Sequence, residues 1–195
     1  MAKIKMIGII KEDEIKKYQK YNKVDKMIEI SSDKDNIQLK ALPICIILAI
    51  LCNMVLFFKT GSSSITIRPL LILIGLIVGF LLMIIHEILH GIVYPKDVVV
   101  SIGFIKPITF VALASYPMSK KRFILMCLLP IILGIIPMIL FILLKSSALC
   151  SLLIGMTYPG MISVYPDIYN AYKVARKVPK GKKVLFYEDL LVYTK

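Results

Sequence analysis

Pro69-Leu70-Leu71-Ile72-Leu73-Ile74-Gly75-Leu76-Ile77-Val78-Gly79-Phe80-Leu81-Leu82-Met83-Ile84-Ile85-His86-Glu87-Ile88-Leu89-His90-Gly91-Ile92-Val93-Tyr94 is a hydrocarbon run interrupted by one acid and two histidines. A helix needs about 20 apolar residues to cross a bilayer core, so this stretch is long enough to span. Pro69 stands where a helix can begin, and Pro95 stops it. His86-Glu87-Ile88-Leu89-His90 is an H-E-x-x-H pattern, and the chain has no other histidine. Positions i and i+4 share a helix face, so both imidazoles can reach one metal ion. Glu87 follows the first histidine and can approach a water on that ion as general base. Ionisable groups at bilayer depth cost on the order of 3 kcal/mol each and are seldom kept without a function. A chance match would need the only two histidines to meet beside an acid at that depth by accident.

The composition agrees with a membrane setting. The 195 residues are 58% hydrophobic with a mean hydropathy of +0.81, against about 45–50% apolar for a soluble domain. A net charge of +13 could suggest nucleic acid. The basic residues lie in blocks between apolar spans, with no stripe of alternating basic and aromatic residues, so no nucleic acid is expected as partner. Residues 1–40 are too charged for a secretory signal, and the first apolar run is expected to stay as an anchor. Cys45, Cys52, Cys127 and Cys150 all fall in apolar spans and read as core or lipid-facing thiols rather than disulfides.

Four spans are expected, at about Ala41–Phe58, Pro69–Tyr94, Phe123–Leu144 and Ser147–Tyr165. Pro130 and Pro137 should kink the third, and Tyr158-Pro159-Gly160 should interrupt the fourth. Lys and Arg number 10 in residues 1–40, 2 in 59–68, 5 in 95–122, 1 at Lys145 and 7 from residue 166 onward. That alternation puts both termini and the 95–122 loop in the cytoplasm of a cell, bacterial by the chain's Lys and Ile usage. His86 would then lie in the cytoplasmic leaflet. The 98–114 segment has two runs rich in β-branched and aromatic residues on either side of Lys106-Pro107. They read as a short cytoplasmic β-hairpin, whose open edge could receive an extended peptide, or equally as a helix cap or re-entrant stretch. Residues 1–40 suit an amphipathic helix or a strand and helix, their lysines facing anionic lipid, and Val184–Tyr187 suits a strand. The expected fold is an all-α membrane protein with about four transmembrane helices, that hairpin and basic cytoplasmic termini. The expected division is 1–40 as an N-terminal segment, 41–175 as the membrane domain and 176–195 as a tail.

Catalytic zinc normally has three protein ligands and one open position. Apart from Glu87, the acids between 41 and 180 are Asp97 and Asp167. Asp97 follows His90 by seven residues, and the compact H-E-x-x-H-x-x-G-x-x-H spacing fails because Val93 and Lys96 occupy its last two positions. Asp97 reads as a solvated loop acid. Asp167 falls at the cytoplasmic end of the fourth span, on the histidines' side, where Pro159, Gly160 and Pro166 can bend the helix and bring a carboxylate inward. The alternative is an interfacial Asp satisfied by helix N-terminal amides. Asn170, three residues on, could orient a substrate carbonyl or the carboxylate.

His86-Glu87-x-x-His90, Gly103-Phe104, Tyr116-Pro117-Met118-Ser119-Lys120-Lys121-Arg122 leading to Pro130, and Asp167-Ile168 together resemble a bacterial family of small four-span proteins described as putative zincin peptidases. The chain is also similar to intramembrane zinc metalloproteases of the site-2 protease type. It departs from them in having Pro166-Asp167-Ile168 where they carry a Leu-Asp-Gly segment. The resemblance covers about residues 40–175. It implies Zn2+ held by His86, His90 and Asp167, with Glu87 catalytic, in a gluzincin- or site-2-protease-like endopeptidase acting on a peptide or membrane-protein substrate beside membrane lipid. The alternative function is a non-catalytic metal-binding membrane protein, such as a carrier subunit, a chaperone or an inactive protease relative.

Overall fold

A helix in lipid satisfies its own backbone polar groups and can therefore present a continuous apolar surface. The computed structural model describes residues 2–11, 14–19, 27–32, 36–62, 65–105, 109–187 and 190–194. Among these, four helices are long and apolar enough to cross a membrane: Ile37–Ser62, Pro69–Ile92, Lys120–Leu143 and Ser147–Lys177. These are the four expected spans with moved ends, and they fit a membrane protein. The first starts at Ile37 rather than Ala41, and the fourth continues to Lys177 instead of stopping near Tyr165.

In chain order the elements are β1 (Lys3–Ile10), α1 (Ile15–Tyr18), β2 (Met27–Ser32), α2 (Ile37–Ser62), α3 (Pro69–Leu81), α4 (Met83–Ile92), β3 (Val99–Ile105), β4 (Thr109–Leu113), β5 (Met118–Ser119), α5 (Lys120–Leu128), α6 (Ile132–Leu143), α7 (Ser147–Ile162), α8 (Tyr165–Lys177), β6 (Lys183–Tyr187) and β7 (Leu190–Thr194). Three of the long helices are therefore interrupted. A 3-10 turn, Leu129–Ile131, separates α5 from α6, and Pro130 in it has no N–H to continue the ladder. Pro137 and Pro159 are instead carried inside α6 and α7. The break in the fourth span comes after Ile162 rather than at Tyr158-Pro159-Gly160. Pro166 sits in the first turn of α8, where a missing N–H costs nothing.

The chain forms two compact units. One comprises residues 41–83 and 130–166, and the other comprises 1–40, 84–129 and 167–195. The first of these is helical and built on close approach at glycines. A Cβ on Gly75 would collide with the Leu152 carbonyl, and one on Gly155 with the Ile72 carbonyl. Between α6 and α7, a Cβ on Gly160 would lie 2.6 Å from the Leu133 oxygen. Helix backbones in lipid gain attraction by this kind of contact, because hydrocarbon solvates apolar side chains as well as protein does. Phe141, Cys150 and Ile154 are fully buried at its centre. Phe57, Leu70 and Leu143 are 72%, 69% and 69% exposed, an apolar surface suited to lipid rather than water.

The other unit corrects the all-α expectation, because it holds two sheets. One has the order β1-β3-β4 and the other β2-β7-β6-β5. The expected hairpin is present, with β3 and β4 antiparallel and Ile102 opposite Ala112; Lys106-Pro107 lies outside the described residues. β1 adds to it in parallel, from Lys3 opposite Val99 to Ile10 opposite Ile105. The expected strand in the tail is β6, paired with β7. A window long enough to detect a span averages away strands of five to eight residues. What makes β1 a strand is its long-range partner. The core here gathers Val100, Met118, Phe123, Val174 and Val184, all under 3% exposed. All four cysteines are free thiols.

Gly155→Ala should lower stability by about 1–3 kcal/mol, the usual cost of overpacking. Gly61→Ala, with nothing within 4 Å of the added carbon, should be neutral or slightly stabilising. Thermal unfolding of the two variants in detergent would separate them.

Candidate metal centre

The short helix α4 sets the geometry. Its 3.6-residue period puts His86 and His90 on one face, and both are buried, at 4% and 9% exposure. Their rings meet edge to face with centroids 4.8 Å apart, and the two Nε2 atoms are 3.1 Å apart. His90 Nδ1 lies 2.9 Å from the Met126 carbonyl oxygen in α5. A carbonyl only accepts, so this contact assigns the proton to Nδ1 and leaves the Nε2 lone pair pointing at the histidine partner. Arg122 Nε donates to the Val93 carbonyl at 2.6 Å and holds the end of α4 to α5.

Asp167 comes from the first turn of α8. Its Oδ2 is 3.3 Å from His86 Nε2 and 3.5 Å from His90 Nε2. The three ligand atoms form the one group of this kind among the described residues. Tetrahedral zinc with bonds of about 2.0–2.1 Å has ligand atoms roughly 3.3 Å apart, the edge of the tetrahedron. The observed 3.1, 3.3 and 3.5 Å match that edge. Two imidazole lone pairs and a carboxylate oxygen this close also need a cation or a proton among them to offset their repulsion. The donor set therefore fits a divalent metal such as zinc, with three ligands and a fourth position left over.

Glu87 is half-buried, one residue round the helix from His86. The backbone amide of Ala112 in β4 and the side chains of His86, His90 and Asp167 are all within electrostatic reach of its carboxylate. The structure thus brings His86, His90 and Asp167 together with Glu87 beside them. Asp97 is exposed in the turn after α4 and is not in the group. Asn170, one turn beyond Asp167, is buried, and its Oδ1 has no partner among the described residues. Tyr94 is 4% exposed in the core. Sequence reading missed the Met126 carbonyl and the Ala112 amide. Both are backbone groups, and no residue type marks them.

One divalent ion per chain should be retained by the wild type and by Asp97→Ala. Asp167→Ala and His86→Ala should each lose it, with affinity falling at least about 100-fold as one of three ligands goes. Metal analysis of detergent-purified protein reads this directly.

A family model described as "Putative zincin peptidase" matches residues 79–182, just over half of the chain, and the match includes His86, Glu87, His90 and Asp167. No curated protein and no solved structure matches. The matched region holds the whole metal-binding group and its neighbouring glutamate, and the chain belongs to the family of putative zincin peptidases.

Proposed function

We propose that the chain is a zinc-dependent endopeptidase embedded in a membrane, which hydrolyses peptide bonds near the cytoplasmic leaflet. The observation that carries this reading is the 3.1–3.5 Å triangle of His86 Nε2, His90 Nε2 and Asp167 Oδ2. Those three atoms would hold the ion. Zinc in such a site polarises a carbonyl and makes water acidic enough to ionise near neutral pH. Glu87 accepts a proton from the water that attacks the scissile carbonyl carbon. It then delivers that proton to the amine nitrogen as the C–N bond breaks, so it ends each cycle ionised again. The Ala112 amide, within electrostatic reach of the carboxylate, would help orient it for both transfers.

The substrate on this reading is an extended peptide. β4 is the outer strand of its sheet, and its Ala112 amide faces Glu87. A peptide added along that edge would present its backbone to the glutamate. The span count and the position of His86, six residues before the end of the Pro69–Ile92 helix and roughly 9 Å along its axis, support a site within the membrane. The distribution of lysines supports cytoplasmic termini.

Glu87→Gln should keep one zinc per chain and slow peptide cleavage by about 10²–10⁴-fold, the usual contribution of a positioned base. Undiminished turnover in that variant would rule out this mechanism. A wild type that holds zinc yet cleaves none of a broad peptide and membrane-protein panel would favour a non-catalytic metal-binding protein.

A further inference from the structure

The lysines around the start of α5 are not used by the metal centre. Ser119, Lys120, Lys121, Lys180, Gly181, Lys182 and Lys183 line a cavity of about 590 Å³. Five of these seven residues are lysines, and none is acidic. Antiparallel pairing brings the two stretches together, with Ser119 of β5 opposite Lys183 of β6. Lys180 and Lys182 are presented by a fixed turn, and Lys183 follows it as the first residue of β6. The Lys182 N–H donates to the Pro179 carbonyl at 3.4 Å, and Gly181 between them has φ +83°. That is the signature of a type II turn, which wants glycine at its third position. Lys120 is already spoken for. Its Nζ donates to the Ala175 and Val178 carbonyls at 2.7 Å each. It thereby covers the negative end of α8, which would otherwise oppose an anion nearby. The start of α5 adds its own positive end, with no acid in the first turn to cancel it.

The location points to the source of the anion. The candidate span Lys120–Leu143 begins at this cavity, and the candidate span Ser147–Lys177 ends three residues before Lys180. In a bilayer the ends of two spans lie at headgroup level. We propose that this cavity binds the phosphate group of an anionic ligand, as presented by an anionic phospholipid headgroup, with Lys121, Lys180, Lys182 and Lys183 as its cationic contacts. This inference is independent of the peptidase reading and shares no residue with the metal group.

The full-length protein in neutral detergent would be titrated with dihexanoylphosphatidylglycerol, dihexanoylphosphatidylcholine and inorganic phosphate, with binding followed by microscale thermophoresis. The expected result is saturable binding of the anionic lipid, weakened about ten-fold in the Lys121→Gln, Lys182→Gln, Lys183→Gln triple variant and kept when the same lysines become Arg. If inorganic phosphate competes at equal concentration, the cavity is a site for a soluble phosphate group. If it does not, the lipid headgroup is the ligand. Equal binding of the neutral lipid, or equal affinity in wild type and Gln variant, would overturn the proposal. So would an Arg variant that unfolds like wild type yet binds as weakly as the Gln variant.

Discussion

Three ligand atoms from two helices lie within 3.5 Å of one another in an apolar protein. That crowding is the constraint around which the sheet-bearing unit is arranged. Two imidazole nitrogens and a carboxylate oxygen repel at this distance, and the burial of the two histidines weakens screening by water. A cation or a proton among them offsets that repulsion, and the donor set fits a divalent metal such as zinc. One imidazole is fixed by the Met126 carbonyl, and the end of its helix is tied by Arg122 to the Val93 carbonyl. Asp167 is fixed by standing in the first turn of α8, where the helix dipole favours a carboxylate.

The sheets serve this arrangement from a direction that hydropathy does not reveal. β4 brings the Ala112 amide to Glu87, and its register is set by β3, with Ile102 opposite Ala112. β3 in turn is flanked by β1 from the far end of the chain. A slip of one residue would turn each side chain to the other face and take the amide away from the glutamate. The placement of that amide near the glutamate thus rests on strand pairing, and β3 is itself paired with residues almost a hundred positions away.

The helical unit solves a different problem. Its exposed leucines, isoleucines and phenylalanines gain nothing from one another in lipid, so its cohesion comes from backbone contact at Gly75, Gly155, Gly134 and Gly160. The basic residues are placed by the same solvent logic. Lysine is expelled from the apolar stretches and collects where helices end, as at Lys120, Lys121 and the 180–183 turn.

Sequence alone determined the four apolar helices and the histidine pair with its glutamate, and it pointed to Asp167 before Asp97; the structure then brings the Asp167 carboxylate to the two histidines. Each is written in local terms: a run of apolar residues, a four-residue spacing, a scarcity of acids. Sequence also carried the 98–114 hairpin and the strand at Val184–Tyr187, because β-branched and aromatic runs are local signals too. Tertiary structure alone decided that residues 3–10 and 27–32 are strands, and that the fourth span breaks beyond Pro159. It alone decided that Met126 and Ala112 contribute backbone groups to the site. The reason is common to all of these. A strand acquires its stability from a partner distant in sequence, and a backbone carbonyl or amide has the same chemistry at nearly every residue. Neither the identity of that distant partner nor the placement of a backbone group leaves a mark in the order of side chains.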